Sequence, residues 1–365
     1  MSIESMLRLC YLLSNLAEHY SMNRTEILVT FGVAMTFALR MLGLFMVLPV
    51  LGSHFVDLAL VGVALGVYGL LQAILQIPLG MLSDRLGRKK IILIGLLLFI
   101  LGSGIAGCYN NIYGVIIGRA LQGSAAIGCV LLALMADVVR EQFRARAMAI
   151  IGIGIALSFV IAMVVGPVLY AHFGLATIFY VMSILGGIAL LLMYCLPISS
   201  TQQVNYLNNN IIDNLLPVLH NKNLLLCNFG VMLLHALLAA WFVVLPLKLQ
   251  NYSIGVYASI ICLSFLIAII LLQYSNRNNR LFKFIIINII LLLVAQVLLW
   301  LWADIGYILL FSVTIFMVAF NFLEANLPML VTKFAPPSNR GAALGVHSSM
   351  QFFGTFVGGV CGGLL

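Results

Sequence analysis

Eleven apolar runs, each close to the 20 or so residues that cross a bilayer as helix, occupy most of this chain. They lie near 27–51, 59–79, 91–108, 112–136, 147–171, 174–195, 223–247, 254–274, 282–302, 305–330 and 342–365. Each is a continuous run rather than an alternation of about ten residues, so helices are predicted and barrel strands excluded. Charge agrees, since only 8% of residues are charged and mean hydropathy is +1.18, whereas about 25% are charged in a soluble domain. The expected fold class is an all-α polytopic membrane protein, with the lipid bilayer as its first partner.

The only sizeable polar connection is 196–222, rich in Asn, Gln and Ser. It separates an N-terminal segment and six-span bundle (1–26 and 27–195) from a five-span C-terminal bundle (223–365). Basic residues sort to one side of the predicted topology. Arg85, Arg88, Lys89, Lys90, Arg140, Arg144, Arg146, Lys222, Arg277, Arg280, Lys283, Lys333 and Arg340 fall on one side, and Lys248 alone on the other. The positive-inside rule makes the rich side cytoplasmic, with the N-terminus inside and the chain in the cell's inner or plasma membrane. The net charge of +8 therefore reflects topology, and no nucleic-acid partner is expected.

Nothing points to an enzyme or a cofactor. No metal-ligand spacing, nucleotide loop or nucleophile elbow occurs. Cys108, Cys129, Cys195, Cys227, Cys262 and Cys361 lie in or at the ends of spans without a CxxC pair, and read as small apolar residues. Cys10 sits in the N-terminal extension, where Arg8 interrupts the only short apolar run, so no signal peptide is expected. Met22 precedes the first apolar span, which makes residues 1–21 a candidate dispensable extension.

Against this background "GMLSDRLGRKK" (80–90) places five charged side chains in one turn between spans 2 and 3. Topology explains Arg85, Arg88, Lys89 and Lys90, but not Asp84 or the glycines Gly80 and Gly87. The ordered pattern resembles the signature loop of the major facilitator superfamily of secondary transporters. "GRALQGSAAIG" in span 4, with Arg119, Gln122 and Gly123, is similar to that family's Arg-x-x-Gln-Gly motif. "GPVLY" in span 5 resembles the Gly-Pro core of drug:proton antiporters at Gly166 and Pro167, although Leu169 and Tyr170 replace the glycines that often follow. "LRMLGLFMVLPVL", "LLHALLAAWFVVLP" and "AFNFLEANLP" resemble the proton-driven efflux branch. A weak repeat, "RARAMAIIG" against "SNRGAALGV" at roughly 190 residues' separation, fits the parallel halves of such folds. The resemblance spans 24–365 and implies twelve helices in two bundles around a cavity. Eleven are counted, so a chain lacking helix 12 is expected.

The resemblance also implies roles. Asp84 would meet the start of helix 11, whose free N–H groups stabilise a carboxylate by roughly 0.3–1 kcal/mol. Gly80 would permit close approach, and Arg88 would pair with Asp137. Gly80, Asp84, Arg85, Gly87, Arg88, Lys89 and Asp137 thus form a candidate latch for the outward-facing state; the bland alternative is a topology anchor.

Ionisable residues inside spans normally face a cavity or a partner. Glu324 is the first candidate proton carrier, and His235 the second, because imidazole titrates near neutrality. Arg119 would be a fixed charge tuning a neighbour. Arg40 fits either that role or capping of carbonyls between helices, and His235 equally fits a plain interhelical hydrogen bond. Tyr68, Gln72 and Gln76 share a face of helix 2, Asn321 precedes Glu324 by three positions, and His347 and Gln351 share a face of helix 11. With Gln122 these are candidate cavity residues, interhelical glue being the alternative. Gly354, Gly358 and Gly362, with Gly359 and Gly363 beside them, form a ridge expected to pack against helix 2 within one monomer, dimerisation being the alternative.

Taken together, these features predict proton-coupled efflux of amphipathic or cationic small molecules by alternating access. Proton-coupled nutrient uptake and a truncated, non-transporting remnant are the alternatives.

Overall fold

The computed structural model describes residues 22–109, 111–197, 211–249, 252–277, 280–302, 304–336 and 339–364. Cys10, residues 1–21 and most of the linker lie outside the described residues. Among the described residues the regular structure is entirely helical. The first bundle comprises α1 (Arg24–His54), α2 (Leu58–Leu86), α3 (Arg88–Cys108), α4 (Ile112–Ser124), α5 (Gly128–Val138), α6 (Glu141–Phe173) and α7 (Leu175–Cys195). A short α8 (Ile211–His220) precedes the second bundle: α9 (Lys222–Lys248), α10 (Ile254–Arg277), α11 (Leu281–Trp302), α12 (Gly306–Phe334) and α13 (Arg340–Leu364).

Ten spans, counting α4 and α5 as one, have the length and hydropathy of membrane helices. The eleventh, α13, has the length but carries His347, Ser348, Ser349, Gln351 and Thr355. Its position explains that composition, because it is enclosed by other helices rather than by lipid.

Span 4 departs from the sequence expectation of one continuous helix. It breaks at 125–127, where hydropathy is uninterrupted but the backbone is not. Gly123 lies so close to α2 that a Cβ would come 2.6 Å from the Tyr68 carbonyl oxygen, and a Gly-Ser pair is a common seat of helix kinks. Irregular backbone at membrane depth persists only where its polar groups find partners. Arg40 supplies one here: its guanidinium donates to the Ala125 carbonyl at 2.6 Å while 1% of the residue remains exposed.

The glycines of α13 decide how the bundles meet. A Cβ on Gly354, Gly358 or Gly362 would overlap the α9 backbone at Met232, Ala236 or Ala240. Gly359 and Gly363 instead abut Gly62 and Leu58 of α2. The ridge meets helix 2 as expected, through Gly359 and Gly363, while Gly354, Gly358 and Gly362 meet α9 as well. Two faces of one helix are stripped to backbone, so α13 sits in contact with both halves at once.

This contact is confined to one end. From Leu58 to Gly69, α2 runs antiparallel to α13 from Gly363 back to Phe352, and nearby a Cβ on Gly52 would stand 2.5 Å from the Val243 carbonyl oxygen of α9. At the other end, which carries the basic loops, a Cβ on Gly341 or Gly345 would meet open space, and Gly80 faces Cys129 of its own bundle. The halves are closed at the end away from the basic loops and parted at the basic end. Lys248, the lone basic residue expected at the closed end, is paired with Asp304 at 2.7 Å; that bond holds the Asp304 carboxyl below its ordinary range.

A side chain at Gly62 must push α2 from α13. Gly62→Leu is expected to open the closed end, so that a single cysteine at Ala59, in a cysteine-free background, reacts faster with an impermeant thiol reagent. Unchanged labelling would refute the closed-end assignment.

Candidate functional site

Three helices of the second bundle bring their ionisable and amide residues to one point. His235 (α9) donates Nδ1–H to the Val231 carbonyl at 3.2 Å, since a carbonyl can only accept. Its Nε2 lies 2.8 Å from the side-chain nitrogen of Gln351 (α13). The same Gln351 nitrogen donates to Glu324 Oε1 (α12) at 3.0 Å. Glu324 Oε2 accepts no hydrogen bond and stands 3.7 Å from His235 Nε2. One amide thus bridges an imidazole and a carboxylate. Phe320 packs edge-on to His235 at 5.5 Å, and Phe316 stacks on Trp241 at 4.2 Å, walling the cluster toward the closed end. His347, one turn before Gln351 on α13, faces Asn228 with Nδ1 3.3 Å from Oδ1.

The first bundle holds a separate buried group. Arg119 on α4 is 2% exposed and lies over the Tyr68 ring at 4.6 Å. It donates to the Ala64 carbonyl at 3.4 Å and to Gln122 Oε1 at 3.2 Å, while Gln122 donates to Ser103 at 2.9 Å. Gln72 donates to the Tyr68 hydroxyl at 2.9 Å, and Gln76 is 3% exposed with its Oε1 unpartnered. Tyr68, Gln72, Gln76 and Gln122 are all buried in this conformation; Gln72 bonds within α2, and Gln122 bonds across to Ser103 of α3. Arg119 and Arg40 are joined to neither His235 nor Glu324. Asn321 is half-buried, and among the described residues it makes no side-chain hydrogen bond. Gly166 meets the α1 backbone at Met46, and Pro167 lines a small apolar pocket at the closed end with Pro49 and Pro246.

At the basic end the loop between α2 and α3 is stitched to its own bundle. Gly87 turns the chain at φ +97°, where only glycine is unstrained. Arg88 pairs with Asp84, donates to Asp137 at 3.0 Å and to Ser83 at 2.7 Å. Lys89 caps α7 through the carbonyls of Tyr194 (2.8 Å) and Leu196 (2.7 Å). Arg85 is exposed. Asp84 reaches Arg88 but no residue of α13 among the described residues; the contact implied for it is absent in this conformation because the halves are parted here.

Sequence reasoning passed over Glu26, which is 1% exposed and accepts from Arg140 Nε at 2.8 Å, the Arg140 backbone N–H at 2.9 Å and the Asn23 N–H at 2.8 Å. The Asn23-x-x-Glu26 spacing is a capping box, a signal available in the sequence. Asn228 was missed too, as a lone amide in an apolar run.

Residues 27–359 match the family model of the Major Facilitator Superfamily. The chain belongs to the major facilitator superfamily. It is 41% identical to the inner membrane transport protein YajR of Escherichia coli over 94% of this chain and 78% of that protein. An uncharacterized transporter of Buchnera aphidicola subsp. Acyrthosiphon pisum is 35% identical over 92% of this chain and 90% of the relative. Among solved structures, the fold resembles the nucleoside transporter NupG (TM-score 0.68, 18% identity, 94% and 91% coverage). It also resembles a bacterial homolog of the human lysosomal transporter Spinster in an inward-facing, unoccupied conformation (TM-score 0.69, 13% identity, 94% and 82% coverage). The chain is a multi-pass membrane transporter.

Glu26→Gln removes the charge that pairs with Arg140 and replaces one of the two accepting oxygens with an N–H donor. Glu26→Gln is expected to cost about 1–3 kcal/mol of stability, read as a lower melting temperature in detergent, whereas Arg85→Gln leaves it unchanged.

Proposed function

We propose that this transporter exchanges protons for amphipathic or cationic solutes by alternating access, with its basic end in the cytoplasm of an inner-membrane-bounded cell, acting as a monomer. Export is driven by proton entry, worth about 2.3 kcal/mol for each 100 mV of potential. The observation that carries the reading is the His235–Gln351–Glu324 cluster. It puts two titratable groups 3.7 Å apart inside the membrane, with the Glu324 side chain 35% exposed in a protein whose halves part at the basic end. A carboxylate so placed can hold a proton or face a cation, but not both.

On this reading the state described is open to the cytoplasm. The loop carrying Gly80, Asp84, Gly87, Arg88 and Lys89, together with Asp137, is the latch: its Arg88–Asp137 bond is preset within the first bundle, and Asp84 engages the start of α13 only when that end closes. Arg85 and Lys90 anchor topology. Arg119 stays a fixed charge holding α4 against α2, and Arg40 secures the break in span 4. Gly166 and Pro167 shape the hinge of the closed end, where α6 crosses α1. Asn321 and His347 border the solute path beside Glu324, while Tyr68, Gln72, Gln76 and Gln122 support it from behind.

The test is proton movement in liposomes holding the purified protein, challenged with tetraphenylphosphonium or ethidium. Solute-evoked proton flux is expected from the wild type and a loss of at least tenfold in Glu324→Gln, about the 1.4 kcal/mol of one strong interaction. Flux that survives this substitution would displace Glu324 as the proton site.

A further inference from the structure

Basic residues at the parted end are held in two different ways. In the first bundle they bond to protein: Arg88 to Asp84 and Asp137, Lys89 to the end of α7, and Arg140 to Glu26. In the second bundle Arg277, Arg280, Lys283 and Lys333 are exposed, and among the described residues none of them pairs with a carboxylate.

These four cations come from three helix ends drawn to one place. Arg277 ends α10, Arg280 and Lys283 flank the start of α11, and Lys333 lies in the last turn of α12. The Arg280 N–H donates to the Ser275 carbonyl at 3.0 Å, which keeps the turn between α10 and α11 tight. Tyr274 meets Phe284 edge-on at 5.7 Å, and Lys333 Nζ stands over the Phe282 ring at 5.9 Å. Orientation in the membrane asks only that basic residues lie on this side. It does not ask for four like charges on one small surface, where they repel one another.

The same charges head two strips of apolar surface. On α10, Leu266, Ile270 and Tyr274 follow at intervals of four residues, with Arg277 three further on; on α11, Lys283 is followed at three, seven and ten residues by Ile286, Ile290 and Leu293. Helical spacing puts each set on one face, and all six uncharged side chains are at least half exposed. Both helices pack on α12 and touch one another little, which leaves a furrow between them below the charges.

We infer that this surface binds an anionic phospholipid, with the phosphate among Arg277, Arg280, Lys283 and Lys333 and the acyl chains along the exposed faces of α10 and α11. A zwitterionic lipid covers the apolar strips but leaves the net charge uncompensated. A soluble phosphate compensates the charge but gains nothing from the strips. The bound lipid ties the ends of three helices in the second bundle, a task that Glu26 and Asp137 perform with carboxylates in the first.

Native mass spectrometry of the purified protein, offered equal amounts of dioleoylphosphatidylglycerol and dioleoylphosphatidylcholine in mixed micelles, tests this. Each basic residue near an anionic surface is worth about fivefold in affinity, so the wild type is expected to retain the anionic lipid over the zwitterionic one by about tenfold or more. The triple variant Arg277→Gln, Arg280→Gln, Lys283→Gln is expected to lose that preference. The triple variant Arg85→Gln, Lys90→Gln, Arg146→Gln, which removes the same charge from exposed positions of the first bundle, is expected to keep it. Should the first triple variant fail to fold, the wild type alone remains decisive: phosphatidylglycerol, but not phosphatidylcholine or glycerol 3-phosphate, is expected to raise its melting temperature. Equal retention of the two lipids, an equal loss in both triple variants, or displacement of the lipid by glycerol 3-phosphate would overturn the assignment.

Discussion

The rest of the architecture depends on the close seating of α13 against two other backbones. At Gly354, Gly358 and Gly362 it touches α9, and at Gly359 and Gly363 it touches α2. In lipid, hydrophobic burial gives little drive for helix association, so tight van der Waals contact between small residues does that work. Because the two contacts lie on different faces of one helix, any motion that parts the bundles must slide α13 over one of them.

The site exploits this position. His235, Gln351 and Glu324 come from α9, α13 and α12, so the bonds of the cluster join three helices. The first bundle shows the opposite design. Its buried charges, Arg40, Arg119 and Glu26, each satisfy backbone or amide groups at a break, a crossing or a cap. In the second bundle Glu324 Oε2 and His347 Nε2 are buried without a hydrogen bond among the described residues, as Arg40 Nε is in the first. At the helix starts of the basic end, Glu26 binds Arg140 in the first bundle, and in the second the Asn221 amide donates to the Phe334 carbonyl at 3.4 Å.

Much of this was legible in the sequence. The spans were readable because water excludes 20-residue apolar runs whatever their neighbours, and His235 and Glu324 because ionisation in hydrocarbon is costly enough to demand a reason. The signature loop pointed to the family that the comparison with known proteins confirmed. Other features were hidden for physical reasons. Hydropathy is blind to backbone geometry, so the break at 125–127 left no trace beyond Gly123 and Ser124. The glycine spacing on α13 pointed to α2, which Gly359 and Gly363 do meet, but gave no sign that Gly354, Gly358 and Gly362 seat the helix on α9 as well. Tyr68, Gln72 and Gln76 correctly formed one polar stripe, but a stripe cannot reveal whether water or a helix lies opposite. Glu26 was passed over because its main partner, Arg140, lies 114 residues away in the chain.

The central claim is that a proton on the His235–Glu324 pair sets which end of the molecule is open. Its most direct test joins two titrations of one sample: the infrared carboxyl band that disappears in Glu324→Gln, and the distance between spin labels at the basic ends of α2 and α13. The account predicts that band and distance change together with pH, sharing one midpoint, and that the distance becomes pH-independent in the variant. A distance that ignores pH in the wild type, or still follows it after Glu324→Gln, would contradict the claim.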